Sequence, residues 1–328
     1  MRPFLESFEH YSATSQLAGK WDEVIGSFIT GPDNRRWFSL GGLTSAQLVK
    51  AVSLDTPNSI LVGFAILPST SSGGATEDIL YFRDGTTAML SVFLIEGTVQ
   101  VRRGNTTILN STVSVPAGTR SYIEIRVVLD NSSGSVELQI NGVPAGSFEG
   151  DTINSGSTLT NIRWGGQDAT IALRDIYIME YGDFLGEIVV RALRPNGAGV
   201  DDDWTASAGG DNYEMVNQAT PDDDTYVASN TDGDRDLYQF EDPEVSTDSR
   251  IHAVQAVVRG RRVDGGGATL RLLAASGGSE EASDGHGLSD MIRYHTSTFV
   301  TNPATGQPWT IQELATAQFG FELHAEES

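Results

Sequence analysis

Short runs of alternating or uniformly apolar residues recur along the chain, separated by clusters of Gly, Ser, Thr and Asn. Residues 121–129 alternate strictly, with Glu124 and Arg126 on the face opposite Ile123 and Ile125. Strict alternation is typical of a strand with one buried and one solvated face. The other predicted strands of the first half are residues 60–67, 88–95, 98–102 and 135–140, the last followed by an Asn141-Gly142 turn.

A second set of strand patterns follows residue 186. These predicted strands are residues 187–193, 251–259, 268–274 and 319–324. The clearest helix signal is Thr310-Ile311-Gln312-Glu313, which fits a capping box with Thr310 as the N-cap. Many short strands and one short helix near the C-terminus predict an all-β protein of two β-sandwich domains, the second smaller than the first.

Composition then restricts the function. The 328 residues include 44 acidic and 21 basic side chains, a net charge of −23, and no cysteine. The charge argues against nucleic-acid binding and against binding to anionic membranes. Without cysteine, disulfides, thiolate metal sites and thiol nucleophiles are excluded. No apolar run approaches the length of a membrane span, and residues 1–10 lack the pattern of a signal peptide.

The negative charge is concentrated in one stretch. Between Asp183 and Asp248 there are 17 acidic and three basic residues, a net charge of −14. Because this stretch has little apolar periodicity, it predicts acidic loops at one edge of a second domain. We therefore expect domains at residues 1–185 and 186–328.

The first half resembles a known fold family. The strand, Asn/Ser/Gly turn and second strand of residues 121–146 resemble the core of concanavalin A-like (laminin-G-like) jelly rolls. Residues 162–166 and 173–178 are similar to the closing strands of that family, and residues 6–9 and 36–42 to its opening strands. The resemblance covers residues 1–182 and implies a concanavalin A-like jelly roll for the first domain.

The second half is similar to a β-module of tailed-bacteriophage structural proteins. The similar segments are residues 184–187, 192–197, 233–238 and 301–310. The resemblance implies a non-enzymatic virion surface protein, either a tail fibre or minor tail protein or a head decoration protein or spike. It implies folding in the host bacterial cytoplasm, contacts with capsid or tail proteins, and a homo-oligomer, with a trimer as the natural state. Host attachment through a surface polysaccharide and assembly contacts alone remain open alternatives.

A glycosidase-type polysaccharide depolymerase is the enzymatic alternative, because some jelly rolls are glycosidases. Such an enzyme needs two carboxylates about 5–10 Å apart across a cleft. The nearest pattern here, Glu124-Ile125-Arg126, has an arginine where the second carboxylate belongs. None of the five histidines stands in a zinc-hydrolase motif. The residues that line the concave sheet would decide between the two hypotheses.

Two weaker sites are predicted in the acidic stretch. Trp204, Tyr213 and Tyr226 are candidates for stacking on sugar rings. A calcium ion is the alternative to no cofactor at all, because clustered carboxylates suit hard cations, although the loop does not fit an EF-hand. The candidate calcium ligands are Asp222, Asp223, Asp224, Asp232, Asp234 and Asp236.

Overall fold

The chain folds into two compact units. The computed structural model describes residues 3–41, 45–55, 58–69, 76–165, 170–180, 182–219, 221–246, 248–263 and 265–325. The first unit comprises the described residues up to Val190 except His10–Ser12, and the second comprises His10–Ser12 and the described residues from Arg191 onward. The division therefore falls five residues beyond the boundary expected from composition.

The first unit is made of fifteen described strands and one 3-10 helix at Thr14–Leu17. The strands are β1 (Phe4–Glu6), β2 (Glu23–Ile25), β3 (Ser27–Thr30), β4 (Arg36–Ser39), β5 (Gln47–Ala51), β6 (Ser59–Pro68), β7 (Thr76–Asp84), β8 (Thr87–Ile95), β9 (Thr98–Arg103), β10 (Thr106–Ser114), β11 (Ser121–Val128), β12 (Gly134–Ile140), β13 (Val143–Gly150), β14 (Asn161–Trp164) and β15 (Ile171–Met179). The sequence-predicted strands at residues 60–67, 88–95, 98–102, 121–129 and 135–140 are confirmed to within a residue at their ends.

These strands form two antiparallel sheets that pack face to face. The eight-stranded sheet has the order β13-β12-β11-β6-β15-β4-β3, with β1 beside β15, and the seven-stranded sheet has the order β10-β9-β8-β7-β14-β5-β2. Phe64 of the first sheet contacts Trp164 of the second, with ring centroids 6.1 Å apart. Both rings are buried, so the core lies between the sheets. The non-sequential strand order and the two packed sheets are those of a β-sandwich of the jelly-roll type.

The outer face of the eight-stranded sheet is also covered. We call residues 182–190 the covering segment. Leu185 and Ile188 of this segment pack on a cluster of buried side chains that includes Tyr122 and Tyr177. The end of the segment is fixed through Val190, whose N–H donates to Asp175 Oδ1 at 3.0 Å.

Two sequence-based expectations fail at this segment. Tyr122 and Glu124 were expected on a solvated face, but both are buried because the covering segment lies over them. The strand expected at residues 187–193 is absent, and these residues run without regular structure. Within this range the Ile188 side chain and the Val190 N–H contact the sheet instead.

The second unit is a smaller β structure. Its described elements are β16 (Pro195–Asp202), β17 (Thr205–Ala206), α1 (Asn212–Met215), β18 (Val227–Ala228), β19 (Arg235–Phe240), β20 (Val254–Gly260), β21 (Ala268–Ser276), β22 (Ser279–Ala282), β23 (His286–Gly287), β24 (Arg293–Phe299), α2 (Ile311–Leu314) and β25 (Gln318–Ala325). A six-stranded sheet has the order β16-β19-β25-β21-β22, with β23 beside β21. The ribbons β17-β18 and β20-β24 complete the strand pairing of the described part.

The core of the second unit lies between the six-stranded sheet and the ribbon β20-β24. Ala256 of β20 packs against clusters that contain Leu272 and Phe319 of the sheet. The capping box before α2 is confirmed, because Thr310 Oγ1 accepts from Glu313 N and Glu313 accepts from Thr310 N. None of the described helices is long and apolar enough to cross a membrane.

Candidate functional site

The outer face of the seven-stranded sheet holds an ordered group of arginine and aromatic side chains. Alternation along each strand sends the apolar side chains Phe82, Leu90, Val101 and Trp164 inward, where all are buried. The side chains between them face outward. We define the arginine face as the outward residues Tyr81, Arg83, Phe93, Gln100, Arg102 and Arg163.

Strand register brings these residues together from four strands. Arg163 of β14 lies opposite Tyr81 of β7, Tyr81 lies opposite Ser91 of β8, and Ser91 lies opposite Arg102 of β9. One residue pair along, Phe93 lies opposite Gln100. Strands β7, β8 and β9 are neighbours in the sequence as well as in the sheet. Strand β14 joins them only by its pairing with β7, so sheet pairing assembles the group.

The aromatic rings hold the arginines in place. The Arg163 guanidinium lies over the Tyr81 ring at 5.2 Å from its centroid, and that of Arg102 over the Phe93 ring at 4.7 Å. The two rings contact each other edge to face, 6.0 Å apart. Cation–π contacts of this kind restrict the guanidinium without using its hydrogen-bond donors.

Much of the donor capacity on this face is unused. Arg102 donates from Nε and Nη2 to Gln100 Oε1, at 3.2 and 2.7 Å. Arg163 Nε is buried and has no hydrogen-bond partner within the described chain. This donor is therefore available to a ligand acceptor that reaches it.

Arg83, Arg102 and Arg163 also lack carboxylate partners within the described chain. Elsewhere in the described chain, arginines form ion pairs at Arg35, Arg103, Arg120, Arg126, Arg174, Arg235 and Arg259. No such pair within the described residues involves Arg83, Arg102 or Arg163. Partial burial and the neighbouring Arg163 lower the pKa of Arg83, against the opposite effect of Glu23. Both side chains point outward from paired strands, where Arg83 lies opposite Asn161 and Arg163 opposite Tyr81, so the two arginines lie on the same side of the sheet.

Tyr81 is the residue of the arginine face that carries a titratable hydroxyl. Burial raises the pKa of its phenol above the usual value, and the negative charge of Asp78, which accepts a hydrogen bond from the phenol, raises it further. The phenol consequently remains protonated at neutral pH and is a poor proton acceptor.

Sequence reasoning missed the arginine face. Alternation predicts the strand at residues 98–102, but it does not show that the outward residues Tyr81, Arg83 and Arg163 of β7 and β14 lie on the same side of one sheet. A positive charge repeated at outward positions in a chain of net charge −23 was the available signal.

Glu124, the nearest candidate for a catalytic carboxylate, lies on the other sheet and is enclosed. Its Oε1 accepts hydrogen bonds from the Tyr177 hydroxyl and from the backbone N–H groups of Leu185 and Gly186, at 2.5, 2.8 and 3.0 Å. Burial raises the pKa of Glu124, and these hydrogen bonds only partly oppose the effect. In the described chain the Glu124 carboxylate is therefore an enclosed hydrogen-bond acceptor.

The three aromatic residues predicted to bind a glycan lie in the second unit and differ in exposure. Trp204 packs edge to face on Phe321, 4.8 Å between centroids, and its Nε1 donates to Asp234 O. Tyr213 contacts the same core cluster. Tyr226 is 53% exposed. Sugar stacking by Trp204, Tyr213 and Tyr226 stays a prediction, with Tyr226 as its accessible member.

Asp236, one of the predicted calcium ligands, is not in a loop. It stands in β19 and is fully buried, where its carboxylate accepts from Trp204 N, Asn212 Nδ2 and the Tyr238 hydroxyl at 2.9, 2.9 and 2.7 Å. Burial raises its pKa, and these hydrogen bonds partly offset that rise. The expectation of a solvated acidic loop at this position is wrong, because the carboxylate is an internal hydrogen-bond acceptor. Asp234, two residues earlier, accepts from Ser229 Oγ.

The other predicted calcium ligands have separate partners. Asp222 Oδ1 accepts from the backbone of Asp224 and Thr225, and Asp223 pairs with Arg259. Asp232 Oδ1 lies 3.8 Å from His324 Nδ1. The described residues contain no group of three or more His, Asp or Glu side chains that could hold a metal ion. The six carboxylates therefore do not fit one cation site as arranged here, and calcium binding stays a prediction.

Solved structures of other proteins are similar to about half of this chain. No known family profile matches the chain, and no curated protein matches it. An endo-β-1,4-glucuronan lyase from the fungus Trichoderma reesei matches 54% of this chain and 95% of its own, at 11% identity and a TM-score of 0.40. Alginate lyase Aly36B matches 54% and 96% at 11% identity and 0.41. The carbohydrate recognition domain of Emp46p matches 53% and 95% at 10% identity and 0.38. Similarities of this size establish neither the activity nor the ligand of this chain.

Proposed function

We propose that this protein is a non-enzymatic glycan-binding protein of the exterior of a tailed-bacteriophage virion. The glycan-binding part rests on one observation, the arginine face. It is an open sheet surface whose polar groups are held in place and have unused donors. A polymer lying along such a surface can contact it at several points, and linked weak contacts add to avidity.

Catalysis is not part of the proposal, because the face lacks the groups that hydrolysis needs. The strands of the seven-stranded sheet contain four carboxylates. Glu77 is bound to Thr170, and Asp84 accepts from Ser157 N. Glu23 and Asp78 remain, on strands three positions apart in the sheet, hence about 14 Å apart at their backbones. That separation exceeds the roughly 5–10 Å of a glycosidase pair.

The described strands of this sheet also contain no histidine, the side chain that most often abstracts a proton near neutral pH. Tyr81 holds its proton at neutral pH because of burial and Asp78. Binding without turnover is therefore the function that these residues support best.

The virion assignment is supported by the sequence resemblance of the second half to phage structural modules. Within a particle, many copies would give avidity to weak individual sites, and a homotrimer is the expected assembly. We keep tail and head locations as alternatives within this proposal.

Two measurements test the proposal. A glycan array probed with the purified protein should give binding that falls in a variant with Arg102 and Arg163 replaced by Gln, while thermal unfolding of the variant stays close to wild type. Incubation with the bound glycan should release no reducing ends or unsaturated sugars. Binding without such release supports the proposal. Cleavage would establish the depolymerase alternative, and a complete lack of glycan binding would leave the assembly-protein alternative.

For the virion assignment, the measurement is the particle itself. The protein should appear in the mass spectrum of phage particles purified from its host and should be labelled by antibody on intact particles. Its absence from purified particles would refute the assignment.

A further inference from the structure

Three arginines on one sheet face have no carboxylate partner in the described chain, and two of them are held over aromatic rings of the same face. We infer that the arginine face binds a carboxylated polysaccharide, one containing uronic acid residues, through Arg102 and Arg163. This inference rests on the proposed glycan-binding function and adds the chemical class of the ligand.

The first step of the argument is that the site is built for an anion. Arg163 is held on Tyr81 and Arg102 on Phe93, so their guanidinium planes are oriented before any ligand arrives. An arginine fork oriented in this way binds a carboxylate through two parallel hydrogen bonds. Arg83 adds a third positive charge on the same side of the sheet, on the strand paired with that of Arg163. An anionic ligand would supply the missing acceptors.

The second step concerns the length of the ligand. Arg163 on β14 and Arg102 on β9 are separated by three inter-strand spacings, about 14 Å at the backbone. The two guanidinium groups lie over different rings, Tyr81 on β7 and Phe93 on β8. A chain with charges at intervals can therefore contact both if it lies across the strands.

The third step distinguishes a glycan from other polyanions. Neutral hydrogen-bonding groups lie beside the charges, namely Gln100 and the exposed Asn110, which lies opposite Gln100. Hydroxyl groups of sugars are natural partners for such amide side chains. Nucleic acid carries one charge per about 1.7 Å of duplex, a higher density than one carboxylate per sugar, so the net charge of −23 disfavours it more strongly than a uronate polymer.

An acidic protein segment is also a poor fit. Protein interfaces usually have an apolar centre surrounded by polar groups. Here the aromatic rings at the centre are covered by the guanidinium groups of Arg102 and Arg163, which leaves a polar surface.

The test uses one polymer in two charge states. Polygalacturonate and the same polymer after chemical reduction of its carboxyl groups differ in charge and share their backbone. Binding of the full-length protein to each is measured by biolayer interferometry at low and high salt. We expect the charged polymer to bind at least about tenfold more tightly, and the difference to shrink at high salt.

Variants locate the binding. Arg163→Gln and Arg102→Gln should each weaken binding to polygalacturonate about tenfold or more, and Arg163→Lys should restore only part of it because the ammonium lacks the planar fork. Arg36→Gln is the matched control, because Arg36 lies over the Phe28 ring at 5.1 Å on the other sheet. It should bind as wild type does. Thermal unfolding of each variant verifies its fold, and the two sites on separate strands keep the test valid if one variant unfolds.

The outcomes separate the two levels of the proposal. Equal binding of charged and reduced polymer, unchanged binding by both Gln variants, or binding of dextran sulfate without polygalacturonate would each overturn this inference while leaving glycan binding in place. If neither the polymers nor any glycan on an array binds, the proposed function itself fails.

Discussion

The Tyr177 hydroxyl donates a hydrogen bond to Glu124 Oε1 at 2.5 Å, beneath the covering segment. This pair marks the side of the first sandwich that is closed. The two outer faces of the sandwich therefore differ. The eight-stranded sheet is enclosed by residues 182–190, whereas the seven-stranded sheet presents half-buried arginine and aromatic side chains. Ligand binding by the first unit is accordingly expected on the seven-stranded sheet.

The buried carboxylate of Glu124 gives a pH dependence with a defined sign. Burial raises its folded-state pKa above 4.5, so the folded protein binds this proton more tightly than the unfolded chain does. The contribution of this group to stability is therefore greatest at low pH and is lost as the pH rises through the folded-state pKa. We expect Glu124→Gln to gain stability relative to wild type over that interval, by about 1.4 kcal/mol for each unit of pKa elevation.

Chemical denaturation at pH values from about 4 to 8 measures this difference, because a buried carboxyl group titrates within that range. The control is Glu149→Gln, an exposed glutamate on β13 of the same sheet, which should follow wild type across the range. A Glu124→Gln curve parallel to wild type would show that burial does not raise the pKa of this group.

Gly63 provides a steric test of the same region. A Cβ atom at this position would lie 2.0 Å from Cε1 of Tyr177, which is far inside van der Waals contact. We expect Gly63→Ala to destabilise the protein by about 1–3 kcal/mol, because the Tyr177 ring must move and its hydrogen bond to Glu124 breaks. Gly41→Ala, where the nearest atom would be Ser39 Oγ at 3.5 Å, should cost much less. Equal melting temperatures for the two variants would contradict the packing described here.

Sequence patterns predicted the strands well and the environment of their faces poorly. Alternation is a local property, so it located residues 121–129 and 135–140 as strands. Whether Glu124 meets water depends on Leu185 and Gly186, some sixty positions away, and no local pattern contains that information. The strand expected at residues 187–193 failed for the same reason, because β-propensity there is overridden by packing on the sheet.

The candidate site was out of reach for a related reason. Arg163 and Tyr81 meet only through the pairing of β14 with β7, and Arg102 joins them through two further strands. Sheet order places them together, and the sequence of one strand does not specify its neighbour. Acidic runs, by contrast, are conspicuous in a sequence. Because of them Asp236 was predicted as a calcium ligand, and composition does not indicate that this residue is buried.

Replacing the buried Asp236 by asparagine, its amide analogue, should destabilise the folded protein. Its Oδ1 accepts from Trp204 N, and its Oδ2 accepts from Asn212 Nδ2. In Asp236→Asn, either orientation of the amide brings its NH2 group against one of these donors. We expect a loss of about 1–3 kcal/mol in unfolding free energy, with a change in tryptophan fluorescence from Trp204. The exposed Asp242→Asn, which leaves the same net charge, should unfold as wild type does. Wild-type stability in Asp236→Asn would refute the hydrogen-bond assignment.

The last prediction concerns calcium. A site with a dissociation constant of about 10 μM would stabilise the folded protein by about 2.7 kcal/mol in 1 mM calcium. We expect no such stabilisation, because Asp236 is engaged by internal donors and Asp223 by Arg259. Thermal unfolding in calcium and in EDTA measures the effect directly, with magnesium as the control for ionic strength. A calcium-specific rise in melting temperature that disappears in Asp222→Asn or Asp234→Asn would restore the cation site predicted from the sequence. It would also require these carboxylates to rearrange around the ion, since Asp234 now accepts from Ser229 and Asp222 from the backbone of its own turn.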